Sequence, residues 1–114
     1  MTKREDSRDL FPGALEIMII RTLRQLPMHG YALAQHIKST SNDLLQVEEG
    51  SLYPALQRLL KDGWVSAKWG VSSTKRRIRI YTLTTAGAKR LEREVARFEQ
   101  MLEGIRLVLA PVKS

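Results

Sequence analysis

The chain has 114 residues, enough for one compact domain with its own core and too few for two. Its 43% hydrophobic and 27% charged residues are those of a globular protein, and the absence of cysteine excludes disulfide frameworks, thiolate metal sites and thiol catalysis. Nineteen Lys and Arg against twelve Asp and Glu leave a charge of +7, which favours a polyanionic partner.

Residues 1–9 mix Lys3 and Arg4 with Glu5, Asp6 and Asp9, and read as a flexible polar arm without the apolar stretch of a signal peptide. A cytoplasmic location is expected. The longest apolar run, around Ile17 to Ile20, is far short of the ~20 residues that span a bilayer, so no membrane partner is expected. Phe11-Pro12-Gly13 opens a first helix, because proline fits a first helical turn, and Leu15, Met18, Ile19, Leu23 and Leu26 follow at spacings of three and four. Pro27 stops it. A second amphipathic helix carries Tyr31, Leu33, Ala34 and Ile37 and ends in the polar stretch Ser39 to Asp43. Gly50-Ser51 offers a turn and an N-cap for a third helix, which buries Leu52, Leu56, Leu59 and Leu60 and closes at Asp62-Gly63.

From Trp64 the period changes to alternation, with Val65, Ala67 and Trp69 on one face of a strand and Ser66 and Lys68 on the other. Gly70 to Arg76 reads as a flexible basic turn, and Arg77 to Leu83 alternates again, completing a two-stranded hairpin. After Thr84 to Gly87 comes the longest periodic segment. Leu91, Val95, Phe98, Leu102, Ile105 and Leu109 are spaced 4, 3, 4, 3 and 4, a heptad seam that Pro111 ends. A helix this long outruns a core of this size, so its distal half is expected to pair with a second copy.

The charge is unevenly placed. Residues 1–50 sum to −1 and residues 51–114 to +8, so a polyanion site belongs to the second half. Three helices and a hairpin with a basic tip make the order of a winged helix-turn-helix, a mainly α fold with a two-stranded β wing. On that reading residues 10–85 form the DNA-binding domain and residues 86–110 a dimerisation helix. The polar side of helix 3, with Ser51, Tyr53, Gln57, Arg58 and Lys61, suits a major groove, and its N-terminal backbone N–H groups suit phosphate. Lys75, Arg76, Arg77 and Arg79 at the wing suit backbone or minor groove. Gly70, Ser72 and Ser73 are expected to leave that tip free to track phosphates, giving affinity more than sequence choice.

Pro27-Met28-His29-Gly30-Tyr31, then Glu49-Gly50-Ser51-Leu52-Tyr53-Pro54-Ala55-Leu56, then Tyr81-Thr82-Leu83-Thr84 with Gly87 closely resemble the PadR family of bacterial transcriptional regulators. The similarity runs from about Gly13 to Leu109, and the length resembles the subgroup with a single C-terminal helix. The resemblance implies a winged-helix homodimer, usually a repressor, paired through its C-terminal helix on a pseudo-palindromic operator of double-stranded DNA. It also leaves room for an unidentified small-molecule effector, since Phe98 stands where many short members carry a tryptophan that in some lines an interfacial cavity. Ile80 stands where an aromatic is common.

Other chemistry finds little support. His29 and His36, seven apart, are separated by ~10.5 Å of helical rise, too far to share a metal. The resemblance implies instead a helix-start role for His29, beside Tyr31. Glu48 and Glu49 have no neighbouring His, metal ligand or phosphate loop, so no catalytic residue, cofactor or metal is assigned; near the start of helix 3 they favour its dipole. The other class that fits this order of elements is a winged-helix module for protein contact without operator binding.

Overall fold

A computed structural model of the chain describes residues 13–112. The proposed arm at residues 1–9 and the Phe11-Pro12 helix start lie outside the described residues. Within them the order is α1 (Ala14–Leu23), β1 (Met28–His29), α2 (Gly30–Thr40), α3 (Glu49–Lys61), β2 (Val65–Val71), β3 (Arg77–Leu83) and α4 (Thr85–Leu109). The mainly α winged-helix class is the observed one, with one difference. The sheet has three antiparallel strands in the order β1-β3-β2, not two. The added strand is a two-residue bridge, Met28 opposite Tyr81 and His29 opposite Ile80, too short to leave an alternating signature.

One core joins the elements. Leu15, Ile19, Ile20 and Leu23 of α1 meet Leu33 and Ile37 of α2, Leu52, Leu56 and Leu59 of α3, and Val65, Tyr81 and Leu91. The first helix ends at Leu23 and the chain turns through Arg24 and Gln25, so Leu26 faces solvent rather than extending the apolar stripe.

Each junction that orients the functional elements is fixed by backbone chemistry. Gly63 at φ 78° closes α3: its N–H donates to the Leu60 carbonyl, and the Trp64 N–H donates back to Leu59. Thr84 starts α4, its Oγ1 accepting from the Gly87 N–H at 3.0 Å while its hydroxyl donates to the Gly63 carbonyl at 2.7 Å. The helix therefore begins at Thr85 and takes in Gly87. A side chain at Gly87 could not fit, since a Cβ there would lie 2.2 Å from the Trp64 carbonyl oxygen.

Candidate nucleic-acid interface

The α3 helix rests one side on the core and leaves the other to solvent. Leu52, Ala55, Leu56 and Leu59 are buried, while Pro54, Gln57, Arg58 and Lys61 are exposed. Its N-cap corrects the sequence reading. Glu48 is the cap residue, without a side-chain capping bond, and Ser51 lies inside the first turn, where its N–H already donates to the Glu48 carbonyl. Ser51 is a helix-face residue, then, not a cap. Glu49 sits in the first turn, where its charge favours the dipole. Pro54 lacks an N–H, so the Gly50 carbonyl one turn earlier has no intrahelical donor, and both residues lie on the exposed side.

Two of the α3 candidates have partners of their own. Tyr53 is 45% exposed, but its ring lies over Gly30, where a Cβ would come within 3.1 Å of the phenolic oxygen. Gly30 thus lets the start of α2 approach α3, a role invisible without the fold. The Arg58 Nε donates to Glu16 Oε2 of α1 at 2.5 Å, which turns this side chain toward the first helix while Gln57 and Lys61 remain exposed.

The wing is more ordered than its composition suggests. In the turn between β2 and β3 the Ser72 N–H donates to the Arg76 carbonyl at 2.9 Å, and Ser72 Oγ accepts from the Thr74 and Arg76 N–H groups. Lys75 takes the left-handed conformation at φ 62°. The serine expected to loosen the tip instead ties it together, because its oxygen satisfies N–H groups that the ladder leaves over. Gly70 belongs to β2, and Ile80 of β3 reaches across it, with Cδ1 2.6 Å from where a Cβ would stand.

Register sets which wing residues share a face. Trp69 is opposite Arg79 and Val71 opposite Arg77, continuing the face that lower down buries Val65 and Tyr81. The Arg77 guanidinium carbon lies 4.3 Å from the Trp69 ring centroid and that of Arg79 lies 5.4 Å away. Arg79 Nε is shut from solvent with no acceptor among the described residues. Trp69 was legible only as a strand residue; its place beside two arginines depends on strand register. None of Lys75, Arg76, Arg77 and Arg79 forms an ion pair among the described residues. At the base of the same strand Tyr81 is buried, and that burial pushes its phenol above the usual tyrosine value, with Arg79 pulling the other way.

The heptad seam divides. Leu91 is 2% exposed and part of the domain's own core, and Val95 packs against that core, so Leu91 is withdrawn as a pairing residue by its burial. Leu102 is 39% and Leu109 75% exposed, Ile105 is half-buried, and Met101 and Val108 widen the stripe on either side of Ile105. Beside the half-buried Phe98 a groove of about 500 Å³ opens between α1, α2 and α4, lined by Met18, Arg21, His36, Val95 and Leu102 among others. His29 is the N-cap of α2, its ring stacked near Tyr31 at 6.4 Å. No cluster among the described residues could hold a metal ion, and no described helix is long and apolar enough to cross a membrane.

Comparison with known proteins agrees with this architecture. Residues 19–93 match the Transcriptional regulator PadR-like family. The chain belongs to that family. Its assignment is therefore to transcriptional regulators and not to an enzyme family. A transcriptional regulator from Clostridium thermocellum has a similar structure, with a TM-score of 0.79 and 25% identity, covering 91% of this chain and 98% of the other. Bacillus subtilis PadR, solved in complex with operator DNA, is similar with a TM-score of 0.64 and 25% identity over 71% of this chain and 47% of that one. In sequence, an uncharacterized protein of Lysinibacillus sphaericus is 29% identical across 89% of this chain and 93% of its own length. The negative transcriptional regulator PadR of Bacillus subtilis is 24% identical over 81% of this chain, which spans about half of that relative.

Proposed function

We propose that the protein is a homodimeric repressor that binds a pseudo-palindromic operator in double-stranded DNA, with α3 in the major groove and the wing on adjacent backbone. The observation that carries this is the α3 face: Gln57 and Lys61 are exposed on a helix whose other side is fixed in the core, in a family with a member solved on operator DNA. Gln57 has the amide geometry to read adenine, and Lys61 the donors for guanine or phosphate. Ser51 and Tyr53 flank them, and Arg58, exposed beside them, is held toward Glu16 through its Nε. Lys75, Arg76, Arg77 and Arg79 add backbone contacts. Repression is supported by the name of the Bacillus subtilis relative, a negative regulator.

Pairing is assigned to Phe98, Leu102, Ile105 and Leu109, with Val95 at the edge of the seam. The exposed distal stripe is a surface that a lone chain would leave wet. A dimer presents two α3 helices, which must lie about one DNA turn, ~34 Å, apart. A small-molecule effector in the groove beside Phe98 would act by rotating the two lobes about the seam and spoiling that spacing.

The test is a mobility shift at fixed salt with a duplex from the chain's own upstream DNA, against a random duplex of equal length. A specific site is expected to bind at least ~10³-fold more tightly than random sequence. Weak binding without sequence preference would instead support the protein-contact module. For the effector, unchanged operator affinity in Phe98→Leu together with a flat ligand screen would mark a constitutive binder.

A further inference from the structure

From Trp64 to Leu91 the chain has seven Lys and Arg and no Asp or Glu. Of these, Arg90 pairs with Glu94, while Lys75, Arg76, Arg77 and Arg79 of the wing have no carboxylate partner among the described residues. The wing offers an indole ring instead. Trp69 is 57% exposed, more than a tryptophan recruited to build a core would be, and its ring stands on the face that also carries Arg77 and Arg79. Both guanidinium carbons are within the ~6 Å over which an indole face attracts a cation. Arg79 Nε is closed off there with no acceptor among the described residues.

We propose that Trp69 is the positioning residue of the wing: its indole holds the guanidinium groups of Arg77 and Arg79 for phosphate without neutralising them. This rests on the DNA-binding reading above. An indole restrains a guanidinium through its flat face, which leaves outer N–H groups for a phosphate oxygen. With the rotamers already restricted, less freedom is lost when DNA arrives. The Ser72-centred turn supports the same arrangement from the tip, since it fixes the backbone at Arg76 next to Arg77.

The experiment measures binding of operator and random duplexes by fluorescence anisotropy across a salt series, with NMR of the arginine side chains in the DNA-free protein. Trp69→Ala is expected to weaken binding to both duplexes about tenfold, from two lost stacks in each wing. The slope of log affinity against log salt should stay at the wild-type value, because the number of phosphate contacts is unchanged. Trp69→Phe should recover part of the loss. In an Arg77→Gln, Arg79→Gln background, Trp69→Ala should cost nothing further. The Hε resonances of Arg77 and Arg79 should be ring-shifted in the wild type and return to ordinary positions in Trp69→Leu.

Wild-type affinity in Trp69→Ala, while the wild type binds, overturns this proposal alone. So does a full-sized loss that persists in the double-glutamine background, which would mean that the indole itself touches DNA. Unshifted arginine resonances overturn the stack whatever the DNA result. A wild type that binds neither duplex overturns the DNA-binding reading and this proposal with it.

Discussion

Residues 85–95 and residues 98–109 of α4 carry the same apolar spacing, yet the first stretch is built into the domain and the second runs past it. At the near end Thr84 caps the helix, Gly87 presses against the Trp64 carbonyl and Leu91 closes the core. At the far end Leu107, Val108 and Leu109 are all exposed. A heptad pattern specifies an apolar face and does not specify what covers it; that depends on which elements stand opposite. The same contrast separates the two candidate DNA-contacting elements, since α3 lies on the core and the wing tip reaches beyond it.

Truncating one leucine in each half of α4 separates the two environments most strongly. Leu91→Ala removes a fully buried side chain and is expected to cost ~2–5 kcal/mol of unfolding free energy. Leu102→Ala should change the stability of the dissociated chain by less than ~0.5 kcal/mol while weakening self-association. Urea titrations at low protein concentration compare them, and equal losses would break the distinction.

The second contrast predicts a difference in kind. Gln57→Ala on the fixed helix should lower discrimination at one base position in each half-site by ~1–3 kcal/mol, leaving random DNA unaffected. Arg77→Ala on the wing should weaken operator and random DNA alike and make the salt dependence shallower by ~1.8, two contacts per dimer at ~0.9 each. If random DNA binding also falls in Gln57→Ala, that residue only positions the helix. If the operator alone suffers in Arg77→Ala, the wing reads sequence or groove shape.

The smallest effect lies in the anchored body. Burial raises the Tyr81 phenol above its ordinary value of 10.0, so its share of stability is intact below that pH and is lost as pH rises through the folded-state value. As pH rises above about 10, the urea midpoint of the wild type should therefore fall more steeply than that of Tyr81→Phe. Parallel profiles would show that the ring is buried without its hydroxyl mattering.

The element order was legible because each buried face follows the period of its element: Leu52, Leu56 and Leu59 at helical spacing, Val65 and Ala67 at strand spacing. The three motifs also pointed to the family that the comparison supports. The features with no local signature depend on nonlocal register or on single hydrogen bonds. The β1 bridge is two residues long, and Ser51 looked like a cap because a serine after glycine before an apolar run has that chemistry. The Arg58 pairing with Glu16 spans 42 positions, and the placement of Trp69 beside Arg77 and Arg79 exists only once β2 and β3 are in register. Ser72 could loosen a turn or organise it, and composition does not distinguish these outcomes.

The bare half of α4 is expected to join two chains so that two α3 helices face one operator. Sedimentation equilibrium of the wild type and of Leu102→Asp, each alone and with one equivalent of operator duplex, tests it directly. A two-chain wild-type species that binds the duplex as a pair is expected. Leu102→Asp should sediment as a single chain with unchanged helix content, because a carboxylate at the seam would be buried without a partner. A wild-type chain that remains monomeric at high micromolar concentration and binds the duplex one to one would contradict it.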